Sequence, residues 1–306
     1  MPAASPIFLT GPTAVGKSAV ALVLAERLGG EILSVDSMQV YRGLDIGTAK
    51  PSPAERARVR HHLIDVCELR EDFNAARFVA LAGQAVAEME RRGRVPIFCG
   101  GTGLYFKAWL AGLAPLPEPE PGLRAELEAT PLEELLKELQ QKDPVTWARV
   151  DRRNPRRVVR AVEILRLSGR SVSEAARNWG GAAGVGAKVY ALRRGAEDLR
   201  RRIEARVEAM FAAGLVEETR RLLAAGLAEN RTALQAIGYR QVVEHLRGER
   251  DLAATVGLVK QRTWQFARRQ MTYWRHQLPV VWVDWPEGMT VEAMAERLIE
   301  MRDAAV

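Results

Sequence analysis

Pro6-Ile7-Phe8-Leu9-Thr10-Gly11-Pro12-Thr13-Ala14-Val15-Gly16-Lys17-Ser18 decides the fold. Pro6 to Thr10 reads as a buried strand, Gly11 to Ser18 fits G-x-x-x-x-G-K-[ST] in full, and a helical pattern runs from Ala19 to Leu28. Strand, glycine turn and helix in that order are the context that makes the pattern a phosphate-binding loop, or P-loop. The glycines let the backbone from Gly11 through Pro12, Thr13, Ala14 and Val15 to Gly16 curl into an anion-holding nest, and the helix N-terminus adds positive partial charge. Lys17 is placed to reach a terminal phosphate and the Ser18 hydroxyl to hold Mg²⁺. The pattern specifies a polyphosphate without saying which one, so a small-molecule kinase or NTPase is one reading. Against it, the apolar strand Val95–Cys99 ends in Gly-Gly-Thr rather than in the acid that a second nucleotide-site motif needs, although Asp36 could serve.

Outward from this loop, strands alternate with helices. Glu31 to Asp36 is a second strand, a helical stretch from about Ala75 to Arg92 follows, and Val95 to Cys99 is a third. That alternation predicts an α/β fold, a P-loop NTPase-like parallel sheet flanked by helices. The run Pro115-Leu116-Pro117-Glu118-Pro119-Glu120-Pro121-Gly122 breaks the rhythm and reads as a linker or hinge. Helical patterns then extend from Leu123 to about Asn178, a glycine-rich stretch covers Gly180 to Gly186, and Val189–Leu192 and Val280–Val283 read as return strands. The expected organisation is therefore a core formed by residues 1–114 and 186–306 with a helical insertion domain at 115–185.

Composition narrows the class. The chain has 306 residues, 47% hydrophobic and 27% charged, which suits a full-sized soluble core. Its apolar runs are too short for a membrane span, and the start lacks the basic region of a signal peptide, so a cytoplasmic monomer is expected. Cys67 and Cys99 are the two cysteines, which excludes a disulfide framework and a zinc set. A net charge of +7 and a pI near 9.7 are compatible with a phosphate or nucleic-acid binder, and equally with an arginine-rich proteome.

Candidate residues stand at the ends of strands and on basic helices. Asp36 closes the second strand near the phosphate site, where a carboxylate binds magnesium or takes a proton; a plain loop turn is the other reading. Thr102, after Gly100-Gly101, is a helix N-cap or a substrate contact. Arg152, Arg153, Arg156, Arg157 and Arg160 fall within nine residues. On a helix starting near Pro155, Arg156 and Arg160 share one face while Val158, Val162 and Leu165 share another, which suits a helix lying on RNA phosphates or a solvated basic face. Arg200 to Arg206 form a second basic helix, with Arg206 aimed toward the site. From Trp264 to Arg275 arginines including Arg268 interleave with aromatics, a composition suited to nucleic acid, while Trp264 and Met271 read as core. His61-His62, on opposite faces of a strand and with no third ligand nearby, reads as structural.

Taken in order, several stretches resemble the tRNA dimethylallyltransferase family. They are Gly11 to Ser18, Ser34-Val35-Asp36-Ser37-Met38-Gln39-Val40-Tyr41, Asp45 to Pro51, His61 to Asp65 and Gly100-Gly101-Thr102-Gly103-Leu104-Tyr105. Ala236 to Gln241, Arg268-Arg269-Gln270 and Trp274-Arg275 complete the set. They span about residues 7 to 275. No Cys/His finger of the eukaryotic relatives is present, so the resemblance is to the bacterial form. It implies that Thr13 to Ser18 hold the diphosphate of dimethylallyl diphosphate with Mg²⁺. The acceptor would be the N6 amine of the adenosine 3′-adjacent to the anticodon of tRNA. Asp36 would be the base and Thr102 would position the reacting groups. The extruded adenosine would meet Asp36, Ser37, Met38 and Gln39, with Gln39 reading a base edge. Arg124, Arg156, Arg157, Val158, Val159, Arg160, Gln235, Gly238, Tyr239 and Arg240 match RNA-contact positions. A third class, a non-catalytic RNA-binding protein, would leave the P-loop idle.

Overall fold

The computed structural model describes residues 5–113, 116–175 and 187–304. Ile7–Thr10 (β1), Gly30–Val35 (β2), His61–His62 (β3), Val95–Gly100 (β4), Val189–Arg193 (β5) and Val281–Asp284 (β6) form one six-stranded sheet in the order β3-β2-β4-β1-β5-β6. Every pairing is parallel, with Ile7 opposite Ile97, Phe8 opposite Val189 and Ile32 opposite Ile97. β1 and β4 are buried along their whole length, as expected of strands covered on both faces. The expected α/β class is the one observed. The sequence reading put His61-His62 on a strand without giving it a place in the sheet, and lacked the helix Pro53–Arg58, which has a reciprocal capping box between Ser52 and Glu55. Both are too short to show a period.

The order of strands places the site. β2, β4 and β1 are neighbours and run the same way, so Asp36, Gly101 and Gly11, the residues just past their carboxyl ends, emerge side by side. Behind them, Ile7, Leu9, Ile97 and Leu192 pack against Val20 and Leu24 of the helix Lys17–Leu28 and Ile203 of the helix Ala196–Ala212. Val259 and Ala267 of the helix Leu252–Gln277 and Leu298 of the helix Val291–Asp303 join the same core.

Contacts divide the chain into two compact units, Met1–Lys107 with Gly186–Val306, and Ala108–Val185. The second is helical: Pro121–Ala129, Leu132–Lys142, Pro144–Arg149, Pro155–Ser168 and Val172–Ala175. Pro121, the last proline of that run, starts a helix, as do Pro144 and Pro155, because a first-turn proline gives up an N–H that has no partner anyway. Pro121, Pro144 and Pro155 each follow a capping side chain, Glu120, Asp143 and Asn154. The core of this unit is Leu127, Leu135, Leu139, Val158, Val159, Val162 and Leu165. Pro115 of the expected linker and the glycine-rich stretch Gly180–Gly186 lie outside the described residues. Among the described residues no helix is long and apolar enough to cross a membrane.

Candidate active site

The P-loop needs its glycines for room as well as for rotation. Gly11 has φ +139°, and a Cβ there would stand 2.5 Å from the Leu192 carbonyl oxygen; at Gly16, with φ +106°, it would meet the Trp285 ring at 2.9 Å. Gly16 also occupies the cap position of the helix Lys17–Leu28, so no side chain takes up the first amides of that helix. Unclaimed amides at a helix start are anion ligands. Lys17 Nζ donates to the Pro12 carbonyl at 2.8 Å. Burial pulls this ammonium down to about 8, with nearby Arg206 adding to the shift and Cys99 and Asp36 opposing it. Cys99, also buried here, is pushed up to about 11 and stays a thiol.

Three arginines, Arg194 just past β5 and Arg202 and Arg206 on the helix Ala196–Ala212, contact the loop. Arg194 Nε donates to the Val15 carbonyl at 2.9 Å, pairs with Asp198 at 2.9 Å, and lies 3.8 Å over the Trp285 ring. Arg202 Nε donates to the Ala14 carbonyl at 3.0 Å, and Arg206 Nη1 reaches Thr13 Oγ1 at 3.4 Å. Because the peptide unit is planar and trans, a carbonyl drawn outward turns the following N–H inward. Arg194, drawing on the Val15 carbonyl, thereby helps to aim the Gly16 amide at the space an anion would fill.

Asp36 is fixed by its own turn: Oδ1 accepts the N–H groups of Met38 at 2.8 Å and Gln39 at 3.3 Å. Thr102 braces that turn, its hydroxyl accepting the Ser37 N–H at 3.1 Å. Gln39 has its amide engaged within the protein, accepting from Ser34 Oγ at 2.8 Å and donating to the carbonyls of Thr48 at 3.1 Å and Ala49 at 3.2 Å. Two cavities meet here. One, of about 540 Å³, is lined by Lys17, Ser18, Arg202 and Cys99; the other, of about 290 Å³, by Met38, Thr102, Met210, Gln235 and Ile237. Asp36, Thr13, Arg206, Phe266 and Gln270 line both. A carboxylate thus stands where a phosphate cradle opens into a half-apolar chamber.

The residues expected to face RNA divide. Val158 and Val159 have relative exposures of 0% and 6% within the helical unit's core, so the structure corrects any side-chain role for them on RNA. Tyr239 is corrected likewise: it is fully buried, its hydroxyl donating to Glu218 at 2.6 Å and accepting the Gly47 N–H at 3.0 Å. Gly238, with φ +101°, starts the helix Tyr239–Leu246. Arg124 and Arg160 both pair with the buried carboxylate of Glu163, and Arg160 also donates to the Pro117 carbonyl at 2.7 Å. Arg156 and Arg157 are exposed and line a groove of about 990 Å³ within that unit. Arg240 is exposed and donates to Gln235 at 3.3 Å, and Arg268 is exposed on the helix Leu252–Gln277. Trp264 and Met271 on that helix are partly buried, and Trp264 packs against the main core. His62 joins Glu31 at 2.7 Å and Glu31 joins Arg92 at 2.6 Å, while His61 Nδ1 lies 2.8 Å from the Val59 carbonyl. Among the described residues no cluster of three or more His, Cys, Asp or Glu could hold a metal ion.

Residues 39–277 match the family model described as IPP transferase. The chain is 48% identical over 276 residues to a tRNA dimethylallyltransferase of Halorhodospira halophila, covering 88% of this chain and 89% of that one. It is 47% identical over 282 residues to tRNA dimethylallyltransferase 1 of Citrifermentans bemidjiense, covering 92% of each. The tRNA isopentenylpyrophosphate transferase structure from Bacillus halodurans superposes with TM-score 0.73 at 33% identity, over 98% of this chain and 96% of that one. The chain belongs to the IPP transferase family. The matched interval begins after the P-loop and Asp36, so the geometry of those residues supports the assignment independently of it.

For this IPP transferase family member, sequence reasoning passed over Arg194, Arg202, Gln270 and Trp285 as parts of the site. Arg202 lay inside the basic run Arg200–Arg206, and Gln270 beside the arginines of Arg268-Arg269-Gln270, without a role. Arg194 and Trp285 gave no signal, since both act on the loop's backbone across the sheet.

Proposed function

We propose that this chain transfers the dimethylallyl group of dimethylallyl diphosphate to the N6 amine of the adenosine 3′-adjacent to the tRNA anticodon. The observation that carries the reading is Asp36 at the junction of the two cavities, with Lys17 and the helix start on one side and Met38, Thr102 and Gln235 on the other. The diphosphate occupies the first cavity and the extruded base the second. As N6 bonds to C1 of the dimethylallyl group, the C1–O bond breaks and its electron pair leaves with diphosphate. Lys17 and the amides of the first helical turn stabilise that charge, and Asp36 takes the N6 proton. Arg206, which lines both cavities, supports the same charge.

The Ser18 hydroxyl lines the first cavity and suits Mg²⁺, which needs few protein ligands because it keeps waters and shares phosphate oxygens. Bound there, Mg²⁺ would neutralise charge on the leaving diphosphate. The exposed Arg156 and Arg157 engage tRNA phosphates, and the reaction belongs in the cytoplasm, where tRNA is modified. Labelled dimethylallyl diphosphate and labelled ATP, each incubated with unmodified tRNA and Mg²⁺, test the reading. Label is expected on tRNA from the prenyl donor alone. Phosphoryl transfer or hydrolysis from ATP with unlabelled tRNA would overturn it in favour of a kinase or NTPase.

A further inference from the structure

Gln270, on the helix Leu252–Gln277, is 7% exposed and has both ends of its amide engaged. Its Oε1 accepts the Thr13 N–H at 2.8 Å, and its Nε2 donates to the Gly101 carbonyl at 3.0 Å. Thr13 belongs to the phosphate loop; Gly101 precedes Thr102, whose hydroxyl holds the Ser37 N–H in the turn that fixes Asp36. One side-chain amide therefore joins the donor cradle to the strand end that positions the base. It lines both cavities where they meet. It also takes the Thr13 amide out of the set that can bind phosphate, leaving the amides at the start of the helix Lys17–Leu28 for that task.

We infer that Gln270 is a positioning residue that sets the distance between the leaving diphosphate and the carboxylate that receives the N6 proton. The inference rests on the proposed prenyl transfer. The chemistry requires an amide in particular, because one end must accept and the other donate. A glutamate in its place keeps the acceptor toward Thr13 but turns a second acceptor on the Gly101 carbonyl, separating the two halves. When protonated, that glutamate regains a donor. A methionine fills the same volume and makes neither bond. Because Gln270 does not touch the reacting atoms, its loss acts through geometry: a misplacement of about 1 Å costs on the order of a hundredfold in rate.

The full chain with Gln270→Glu and Gln270→Met tests this in single-turnover transfer to tRNA, with separate titrations of pyrophosphate and tRNA. For Gln270→Glu the transfer rate at saturating substrates is expected to fall at least about tenfold, with tRNA affinity near wild type and pyrophosphate binding weakened by the added charge lining the first cavity. The ratio of its rate to the wild-type rate should then rise as pH falls and the new carboxyl is protonated. A merely structural glutamine would give no such pH-dependent recovery. Gln270→Met is expected to lose rate and also to weaken pyrophosphate binding. A pH-independent ratio for Gln270→Glu, or wild-type transfer by Gln270→Met, overturns the inference. If Gln270→Met does not fold, the pH ratio of Gln270→Glu decides. Failure of the wild-type chain to transfer the prenyl group would instead overturn the proposed reaction, with pyrophosphate binding still measurable.

Discussion

Asp36 and Lys17 act through opposite charges, and each leaves a different experimental trace. Asp36→Asn keeps an acceptor for the Met38 and Gln39 N–H groups, so the turn survives while the proposed base is lost. Its transfer rate is expected to fall by about 10²–10⁴, the usual worth of a positioned base, with tRNA affinity retained. Weak tRNA binding with normal transfer would make Asp36 a recognition residue. Lys17, held down to about 8 by burial, is charged below that pH and neutral above it. Pyrophosphate affinity should therefore weaken as pH rises from 7 toward 9, and calorimetry in buffers of different ionisation enthalpy should show proton uptake near pH 8. For the ligand-free fold the sign reverses. Between about 8 and the ordinary 10.5 the unfolded chain holds more protons at Lys17, so raising pH across that window favours folding. Lys17→Met should remove both effects.

At the scale of one helix, Pro155–Ser168 does two jobs with residues that look alike in sequence. Arg156→Ala is expected to weaken tRNA binding and to make the slope of log K against log salt shallower by about one, the value for one phosphate contact. An unchanged slope would return Arg156 to the solvated surface. Arg160 points instead to Glu163, whose side chain is fully buried, and shares it with Arg124. Removing both partners by Arg124→Ala with Arg160→Ala leaves that charge unpaired and should cost about 3–5 kcal/mol in urea unfolding. Such a division was only partly legible beforehand. The three-to-four-residue spacing assigned Val158 and Val162 to the core, but it cannot distinguish an arginine pointing at solvent from one pointing at a buried acid three residues on. Tyr239 shows the same limit, because Glu218 and Gly47, its partners, are distant in sequence. The strands of the core and the phosphate loop were legible because each is written in consecutive residues. Arg194, Arg202 and Gln270 were not, because each binds backbone carbonyl or amide groups, which every residue has.

Across the whole molecule, the phosphate loop near the start of the chain is completed by the end of it. Trp285, 3% exposed, backs Gly16 and carries Arg194, and the helix Val291–Asp303 packs against the helix Lys17–Leu28. Trp285→Ala should lower stability by about 3–5 kcal/mol as a core truncation. Measured at a temperature where the variant remains folded, it should also weaken pyrophosphate binding while tRNA binding persists; an unaltered pyrophosphate affinity would make Trp285 a packing residue alone. The order of strands has a further effect, on the timing of synthesis. β1 lies between β4 and β5, and the helical unit lies in the chain between those two strands. At ribosomal rates the stretch from Gly100 to Val189 takes on the order of ten seconds to appear. Throughout that interval β1 has one exposed edge, an invitation to wrong pairing that the nascent chain must survive. Because Trp285 and Arg194 brace the phosphate loop, full pyrophosphate protection of a nascent chain is expected only after β6 has left the exit tunnel, so that protection would serve as a clock for completion of the sheet.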